Sequence, residues 1–575
     1  MFRRQFTALA LVASLGMMAP APAGTLLVPK DHKTIQGAID AAAPGDTVLV
    51  AAGTYRESIR CKERVTLKSA GDDAPGKLGL KRAEATVIDG GGSAAKGPAV
   101  ILAEGSILDG FTVTQVGSFD QKEYDKHYAT QGEDLPDERG AVGVGAAFPA
   151  VSAAAVTAVV QHCLVHDNGR AGIGLTAGDG KRNGSLVANN IVYRNMGGGI
   201  GVADGAAPTV ESNRCFNNLR GGIGNRKASG LIIGNECFDN VRAGIGVREG
   251  ATPIVRGNRC YQNRRAGIGC RMARTAPLIE DNDCYQNAMA GIGCRDEAEP
   301  LIRGNRCYAN ALAGIGCRDG ARPTIVANKC YQNKEAGIGS QLKAKPVIAD
   351  NECYENEKAG IGQQSDAETV LSGNFVHHNK LAGIGFDACK AGKAAVLHNR
   401  VIDNDQAAVG IHSGWNVRLA DNTLSRAGGL PPIVMVFQGA EAEFVGNRIQ
   451  GSGVAGIRTE GTVRVVNNAF DCPTLRKGGG PPQFAVWGLP GADIVFTANK
   501  VNGWRHALVA EKAGVNASFN QIAGYWQVGI QVKQPSAPVT ALRNRFESES
   551  EHPGVQIDGS QGIVTDNRVA KPTRK

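Results

Sequence analysis

The chain has 575 residues, of which 77 are glycine and 5% are aromatic, and it carries a formal net charge of +9 at pH 7. This length would stretch a single globular core, whereas a repeat protein grows along one axis and keeps a constant cross-section. The charge is modest for the length and nothing resembles a nucleic-acid-binding module, so nucleic acid is excluded as a predicted partner.

Residues 1–23 are typical of a secretory signal peptide. Met1-Phe-Arg-Arg is followed by an apolar run over residues 7–18, and Ala21-Pro-Ala23 supplies small residues before Gly24. The run is too short for a membrane span, and no later stretch is long and apolar enough to cross a bilayer. The sequence therefore predicts a mature chain of residues 24–575 that is periplasmic or secreted.

A polar insertion over about residues 117–140 interrupts the short apolar strands that surround it. Loops that leave a regular repeat often build binding sites. The side chains that could line a groove are Lys126, His127, Tyr128 and Arg139. Disordered decoration is the alternative for this segment.

From about residue 160 to 415 one motif recurs about every 23 residues. In one copy, Asn258-Arg-Cys-Tyr-Gln-Asn263 precedes Ala266-Gly-Ile-Gly-Cys-Arg271. A fixed period of this length predicts a solenoid, in which each repeat is one coil and only stacking buries its apolar side. Three short strands and three turns fill one period, so the repeat predicts a parallel β-helix. Weaker copies continue to the C-terminus, and the mature chain is expected to be one domain.

Strand alternation predicts which side chains enter the core. Ile268 and Cys270 should face inwards, whereas Gly269 and Arg271 should face outwards. The isoleucines expected at one equivalent buried position are Ile254, Ile279, Ile302, Ile325 and Ile348.

Two further columns are expected to stack from coil to coil. The first is a ladder of turn asparagines, comprising Asn190, Asn213, Asn235, Asn258, Asn282, Asn305, Asn328, Asn351, Asn374 and Asn399. The second is aromatic, comprising Tyr193, Phe216, Phe238, Tyr261, Tyr285, Tyr308, Tyr331 and Tyr354. Sugar stacking on these rings is an alternative to a structural role.

Three N-terminal segments resemble a known family. They are residues 34–50 with Gly53-Thr-Tyr-Arg-Glu57, Val87-Ile-Asp-Gly-Gly-Gly92 and Leu108-Asp-Gly-Phe-Thr-Val-Thr114. These segments are similar to the first coils of pectate-lyase-like right-handed β-helix proteins. The resemblance implies an all-β, single-stranded right-handed parallel β-helix with a short N-terminal capping helix over residues 34–43. The fold hosts lyases, epimerases, hydrolases, phage spikes and NosD-like copper-maturation proteins, so it does not determine an activity.

The outward residue two positions after each Gly-Ile-Gly stretch forms a column of cations and amides. Its members are Arg226, Arg248, Arg271, Arg295, Arg318, Gln341 and Gln364. Like charges one coil apart repel, so negatively charged groups must lie nearby to offset the repulsion between the arginines. Local acids are one answer, because Glu249, Asp296 and Asp319 directly follow three of the arginines. The other answer is a bound acidic polysaccharide, since guanidinium groups match carboxylates bidentately.

Asp387 and His412 continue the same column on the next two coils. A histidine base beside arginines that neutralise a carboxylate is what proton abstraction from a uronic acid needs. The two residues are therefore candidate catalytic groups of a polysaccharide lyase or C5-epimerase. Chance drift of the repeat is the alternative.

Cysteines form two inward columns, at positions where proteins of the resembled family usually have valine or isoleucine. Seven lie in one column between Cys215 and Cys353, and three in another, at Cys270, Cys294 and Cys317. Buried free thiols can act as small core fillers. The alternative is a soft-metal site for copper or zinc at Cys270, Cys294 and Cys317.

These patterns leave three hypotheses for the function. The first is an exported β-helix that binds acidic polysaccharide along its arginine face, with lyase or epimerase activity left open and calcium as a candidate cofactor. The second is a NosD-like metal-handling protein that uses the cysteine columns. The third is a non-catalytic structural rod. The oligomeric state does not follow from the sequence.

Overall fold

A computed structural model describes residues 23–135, 148–178, 180, 182–427, 430–451, 453–472, 483–548, 551–559 and 562–570. Residues 1–22, which hold nearly all of the predicted signal peptide, and Arg139 lie outside these ranges. No helix in the described ranges is long and apolar enough to span a membrane.

Three parallel sheets run along the described part of the chain, and each coil contributes one strand to each of them, except for the incomplete first and last coils. One coil consists of Ile254–Arg256 in sheet A, Arg259–Tyr261 in sheet B and Ile268–Arg271 in sheet C. The next coil repeats this order, with Ile268 in register with Ile292. In this coil a two-residue turn joins the strand of sheet A to the strand of sheet B, and longer turns join the other strands. The predicted β-helix is confirmed.

Sheet A contains Thr25–Val28, Thr47–Val50, Thr66–Ser69, Ile107–Asp109, Val159–Gln161, Leu186–Ala188, Thr209–Glu211, Leu231–Ile233, Ile254–Arg256, Leu278–Glu280, Leu301–Arg303, Thr324–Val326, Val347–Ala349, Glu368–Ser372, Gly392–Leu397, Trp415–Ala420, Glu441–Val445, Thr462–Val466, Asp493–Thr497, Gly514–Ser518, Val539–Leu542 and Gly562–Thr565. Sheet B contains Gly53–Tyr55, Thr86–Gly92, Thr112–Val116, Leu164–His166, Ile191–Tyr193, Arg214–Phe216, Glu236–Phe238, Arg259–Tyr261, Asp283–Tyr285, Arg306–Tyr308, Lys329–Tyr331, Glu352–Tyr354, Phe375–His377, Arg400–Ile402, Thr423–Arg426, Arg448–Gly451, Ala469–Asp471, Lys500–Asn502, Gln521–Ala523, Arg545–Glu547 and Arg568–Ala570. Sheet C contains Ile59–Arg60, Val100–Ile101, Val151–Ala154, Ile173–Thr176, Ile200–Ala203, Ile223–Arg226, Ile245–Arg248, Ile268–Arg271, Ile292–Arg295, Ile315–Cys317, Ile338–Ser340, Ile361–Gln363, Ile384–Phe386, Val409–Ile411, Val434–Val436, Ala455–Thr459, Phe484–Gly488, His506–Glu511, Ile530–Lys533 and Val555–Asp558.

Three short helices accompany the strands in the described ranges: α1 (Ile35–Ala41), α2 (Lys81–Ala85) and α3 (Gln121–Ala129). Helix α1 lies within the predicted residues 34–43. The hydroxyl of Thr34 accepts a hydrogen bond from the Gly37 N–H at 3.1 Å, which caps the helix. Its apolar side is buried and contacts the first strands. Its role as a cover for the end of the core stays a prediction.

The inward positions follow the predicted alternation in sheet C but not everywhere in sheet A. Ile268 and Cys270 are fully buried, as expected. Ile254, in contrast, is 37% exposed, and its neighbour Val255 takes the buried position in register with Ile279. The prediction for Ile254 was wrong by one residue, which moves a side chain to the opposite face of a strand.

Two asparagine ladders fasten the coils to one another. The predicted ladder runs from Asn190 to Asn567, and each side-chain amide donates to the next asparagine, as Asn305 Nδ2 does to Asn328 Oδ1 at 2.9 Å. A second ladder, from Asn168 to Asn404, does the same in the turn between sheets B and C. Because the amides also donate to buried carbonyls, the ladders satisfy the polar groups of the turns.

Candidate ligand-binding groove

The predicted arginine column lies on the outer face of sheet C. Arg226, Arg248, Arg271 and Arg295 are register partners on adjacent strands. Arg318 lies just after the end of its strand, Ile315–Cys317. It keeps its place in the column, since its backbone N–H donates to Cys294 O at 3.0 Å. The same backbone contact recurs in later coils, at Gln341, Gln364, Asp387 and His412. The structure thus places all the predicted members of the column on one line.

Local acids compensate the charge of this column. Arg248 lies 3.6 Å from Glu249, Arg295 lies 3.5 Å from Asp296, and Arg318 lies 3.3 Å from Asp319. The local-acid interpretation is therefore correct for these three arginines. Exposed pairs of this kind contribute about 0–1 kcal/mol each, so a ligand carboxylate can replace the acid at little cost.

The column forms one wall of an open groove of about 780 Å³ on sheet C. The floor consists of outward glycines, one per strand, from Gly201 to Gly362. The lining contains two glutamates, Glu133 and Glu335, and nine arginines: Arg170, Arg220, Arg226, Arg242, Arg248, Arg265, Arg271, Arg295 and Arg318. Arginine thus dominates the ionisable groups of the groove.

The polar insertion forms part of the opposite wall. The guanidinium of Arg265 donates to the carbonyls of Gln131 and Gly132, both at 2.8 Å, and pairs with Glu133 at 2.9 Å. Arg242 donates to Leu135 O at 2.7 Å. These contacts hold the described part of the insertion against the turns between sheets B and C, and leave Glu133 in the groove lining.

The side chains predicted to line the groove from this insertion have other contacts. His127 is buried and lies between Asp134 at 2.8 Å and Glu123 at 3.3 Å. The guanidinium carbon of Arg264 lies over the ring of Tyr128, 4.7 Å from the ring centroid. Lys126 pairs with Glu123 on the surface of α3. None of these three residues lines the groove on sheet C, because α3 packs on the rod instead of forming an extended loop.

The two candidate catalytic residues lie next to each other in the column but have separate partners. Asp387 accepts a hydrogen bond from Gln364 Nε2 at 2.8 Å. The ring of His412 stacks on Phe437, with 4.1 Å between ring centroids. Their catalytic role stays a prediction.

The aromatic column is a structural stack. The ring centroids of neighbouring members lie 4.8–5.0 Å apart and the rings are nearly parallel, as for Tyr285 and Tyr308. His166 and His377 extend the stack at its two ends. Because the ring faces cover one another, they are closed to a sugar.

Both cysteine columns are buried free thiols. Cys270, Cys294 and Cys317 are register partners in sheet C, and burial raises the pKa of the Cys270 thiol. Metal binding needs thiolates, and in the described part of the chain no three His, Cys, Asp or Glu side chains are placed to hold a metal ion.

Several solved structures and one family model are similar to this chain. No curated protein matches the chain. Among solved structures, the A-module of the Azotobacter vinelandii mannuronan C-5 epimerase AlgE6 is 14% identical, with 94% of this chain and 95% of that chain covered and a TM-score of 0.21. The periplasmic alginate epimerase AlgG is 11% identical over 68% and 77% of the two chains, with a TM-score of 0.25. The catalytic unit of a Streptomyces thermodiastaticus GH87 α-1,3-glucanase is 12% identical over 68% and 61%, with a TM-score of 0.31. These scores are too low to support an inference about activity.

A family described as a right-handed β-helix region matches residues 179–311, 278–424 and 341–470. Together these matches span more than half of the chain. The chain therefore belongs to the right-handed β-helix family.

Proposed function

We propose that this protein binds an acidic polysaccharide in the groove on sheet C. The observation that carries the proposal is the lining of nine arginines and two glutamates on an open, elongated surface. Adjacent parallel strands are about 4.8 Å apart, so the column offers a guanidinium at short, regular intervals. A polymer with one carboxylate on each sugar presents anions with the same kind of regularity.

The weakness of the ion pairs in the column favours replacement of the local acids by ligand carboxylates. Arg295 and Arg318 are 33% and 46% exposed, and their partner acids are also exposed. Such pairs are weak, whereas bidentate contacts between arginine and a carboxylate in a partly desolvated groove are stronger. A polyuronate gains these contacts in several coils at once, which raises its affinity without a strong contact at any one coil.

The test is a triple substitution of Arg271, Arg295 and Arg318 to serine. If each contact contributes about 1 kcal/mol, the variant should bind a uronic-acid polymer on the order of 100-fold more weakly. Binding is measured by calorimetry against alginate, polygalacturonate and a neutral glucan. Equal affinities of the variant and the unchanged protein would reject the proposal.

The matched control removes three arginines from the other faces of the rod, at Arg259, Arg306 and Arg322. These side chains are 56–58% exposed and pair with exposed or half-buried acids. The control loses the same net charge, so it separates contact in the groove from general attraction of a polyanion. It should retain at least most of the affinity.

The same polymers test the predicted chemistry. The ultraviolet absorbance of unsaturated products reports a lyase, and a His412→Ala variant should abolish it if His412 is the base. A flat trace for the unchanged protein would remove the lyase prediction and leave the binding proposal intact.

A further inference from the structure

Each Ala-Gly-Ile-Gly motif contains two glycines, and the fold requires the first one. A Cβ on Gly291 would lie 2.7 Å from Gly314 O and 2.9 Å from Asn310 Nδ2. The same clash recurs in neighbouring coils, for example at Gly314 and Gly337. The first glycine is therefore fixed by the close approach of the next coil.

The second glycine has no such restraint. A Cβ would meet nothing within 4 Å at Gly224 and Gly246, and at Gly293 its nearest contact would be the Ala266 methyl at an ordinary 3.6 Å. The φ angles at these positions lie outside the left-handed region. Glycine inside a strand is destabilising relative to other residues, so the folded chain alone gives no reason to keep it.

Glycine nevertheless occupies this outward position in eleven successive coils. They are Gly174, Gly201, Gly224, Gly246, Gly269, Gly293, Gly316, Gly339, Gly362, Gly385 and Gly410. Beyond Gly410 the register continues through Met435, Arg458 and Trp487, whose long side chains end the flat surface.

We infer that the second glycines from Gly201 to Gly362 form the floor on which the ligand lies, and that the ligand is an unbranched chain with about one sugar unit per coil. The inference rests on the proposed function and adds the shape of the substrate. Bare backbone lets a flat ring approach the strands closely, and identical coils offer identical subsites to a regular polymer. A branch or a bulky substituent directed at the floor would clash in any of these coils.

At Gly174, the N-terminal end of the glycine column, a proline ring lies on the glycine. A Cβ on Gly174 would lie 2.7 Å from Cγ of Pro149, because the pyrrolidine ring of Pro149 sits directly on that glycine. From Gly201 to Gly362 the floor is open and forms the bottom of the groove. The groove therefore has eight floor glycines for a chain to cover.

The test fills the floor with Gly293→Val. The matched control is Gly385→Val in the same column, whose nearest contact would be the Ala359 methyl at 3.7 Å and which lies outside the groove lining. Valine suits a strand, so both variants should unfold at or above the original temperature. Gly293→Val should weaken polyuronate binding by at least about 10-fold, and Gly385→Val should leave it unchanged.

The outcomes separate the inference from the proposed function. Equal binding by the two valine variants, with loss of binding in the triple arginine variant, would place the ligand along the arginine column and away from the glycine floor. That result would overturn the inference alone. Retained binding in all variants would reject both. In a titration with oligouronates of increasing length, affinity should rise up to about eight units and then level off. A plateau at two or three units would also overturn the inference.

Discussion

Replacing Asn305 with alanine should open the centre of the rod locally. Its Nδ2 donates to Asn328 Oδ1 and Ile279 O at 2.9 Å, and its Oδ1 accepts from both the backbone N–H and the side-chain amide of Asn282 at 2.9 Å. The residue is fully buried, so water cannot replace these contacts without a rearrangement of the turn.

The cost follows from the groups left without a partner. Two donors on Asn282 lose their acceptor and Ile279 O loses a donor, and each buried orphan costs about 1–3 kcal/mol. Allowing for relaxation, we expect a cost of about 3 kcal/mol, which makes the equilibrium constant for opening of the coil on the order of 100-fold larger. Solenoid coils interact mainly with their neighbours, so the effect should be confined to the adjacent coils.

Hydrogen exchange followed by mass spectrometry measures this local opening. Peptides that span Asn282 and Asn305 should exchange faster in Asn305→Ala, and peptides from the C-terminal coils should not. The control is Asn567→Ala at the end of the same ladder, where the half-buried side chain can exchange its contacts for water. Equal effects of the two substitutions, or unchanged exchange in the first, would refute the reasoning.

Three further predictions concern salt, pH and the thiols. Polyuronate affinity should fall steeply with salt, because the Debye length shrinks from about 10 Å at 0.1 M to about 3 Å at 1 M; a salt-independent affinity in calorimetry would contradict charge recognition. Burial lowers the pKa of His506 to about 4, against about 6.5 in the unfolded chain, so the folded protein should lose up to about 3 kcal/mol as the pH falls from about 6.5 through about 4. Urea titrations of His506→Gln should lack this loss and those of the exposed His398→Gln should keep it, whereas equal pH slopes would contradict the assignment. Maleimide labelling of the native protein should modify at most the partly exposed Cys61 and Cys389, and native labelling of Cys294 would disprove its burial.

The period of the sequence was sufficient to predict the architecture. Stacking of like residues follows from a fixed repeat, and for that reason the asparagine ladder, the aromatic stack and the inward Ile268 and Cys270 were all predictable. The misplacement of Ile254 has a local cause. Two apolar residues, Ile254 and Val255, stand side by side before the turn, and only the register of sheet A decides which of them is buried.

The binding surface was harder to predict than the fold. The arginine column follows from alternation, but the sequence shows two glycines in each motif without telling which of them has room for a side chain. That difference depends on what an added Cβ would meet, which is Gly314 O of the next coil at 2.7 Å for Gly291 and the Ala266 methyl of the preceding coil at 3.6 Å for Gly293. The contacts of Arg242 and Arg265 with the insertion join segments more than a hundred residues apart, and no local pattern indicates them.

The two outward columns differ in length, and this difference bears on where a bound chain would end. Glycine persists to Gly410, whereas arginine stops at Arg318 and is followed by Gln341, Gln364 and then Asp387. The buried isoleucine continues through Ile384, so the interior does not impose the change from arginine to amide to acid. An acidic chain held by the arginines would keep a flat floor beyond them but lose its counter-charge. Asp387, one coil beyond the groove lining, would present a like charge to a longer stretch of chain, so the bound chain should end or leave the rod before that coil. The predicted catalytic residues Asp387 and His412 would then lie next to the end of the bound chain.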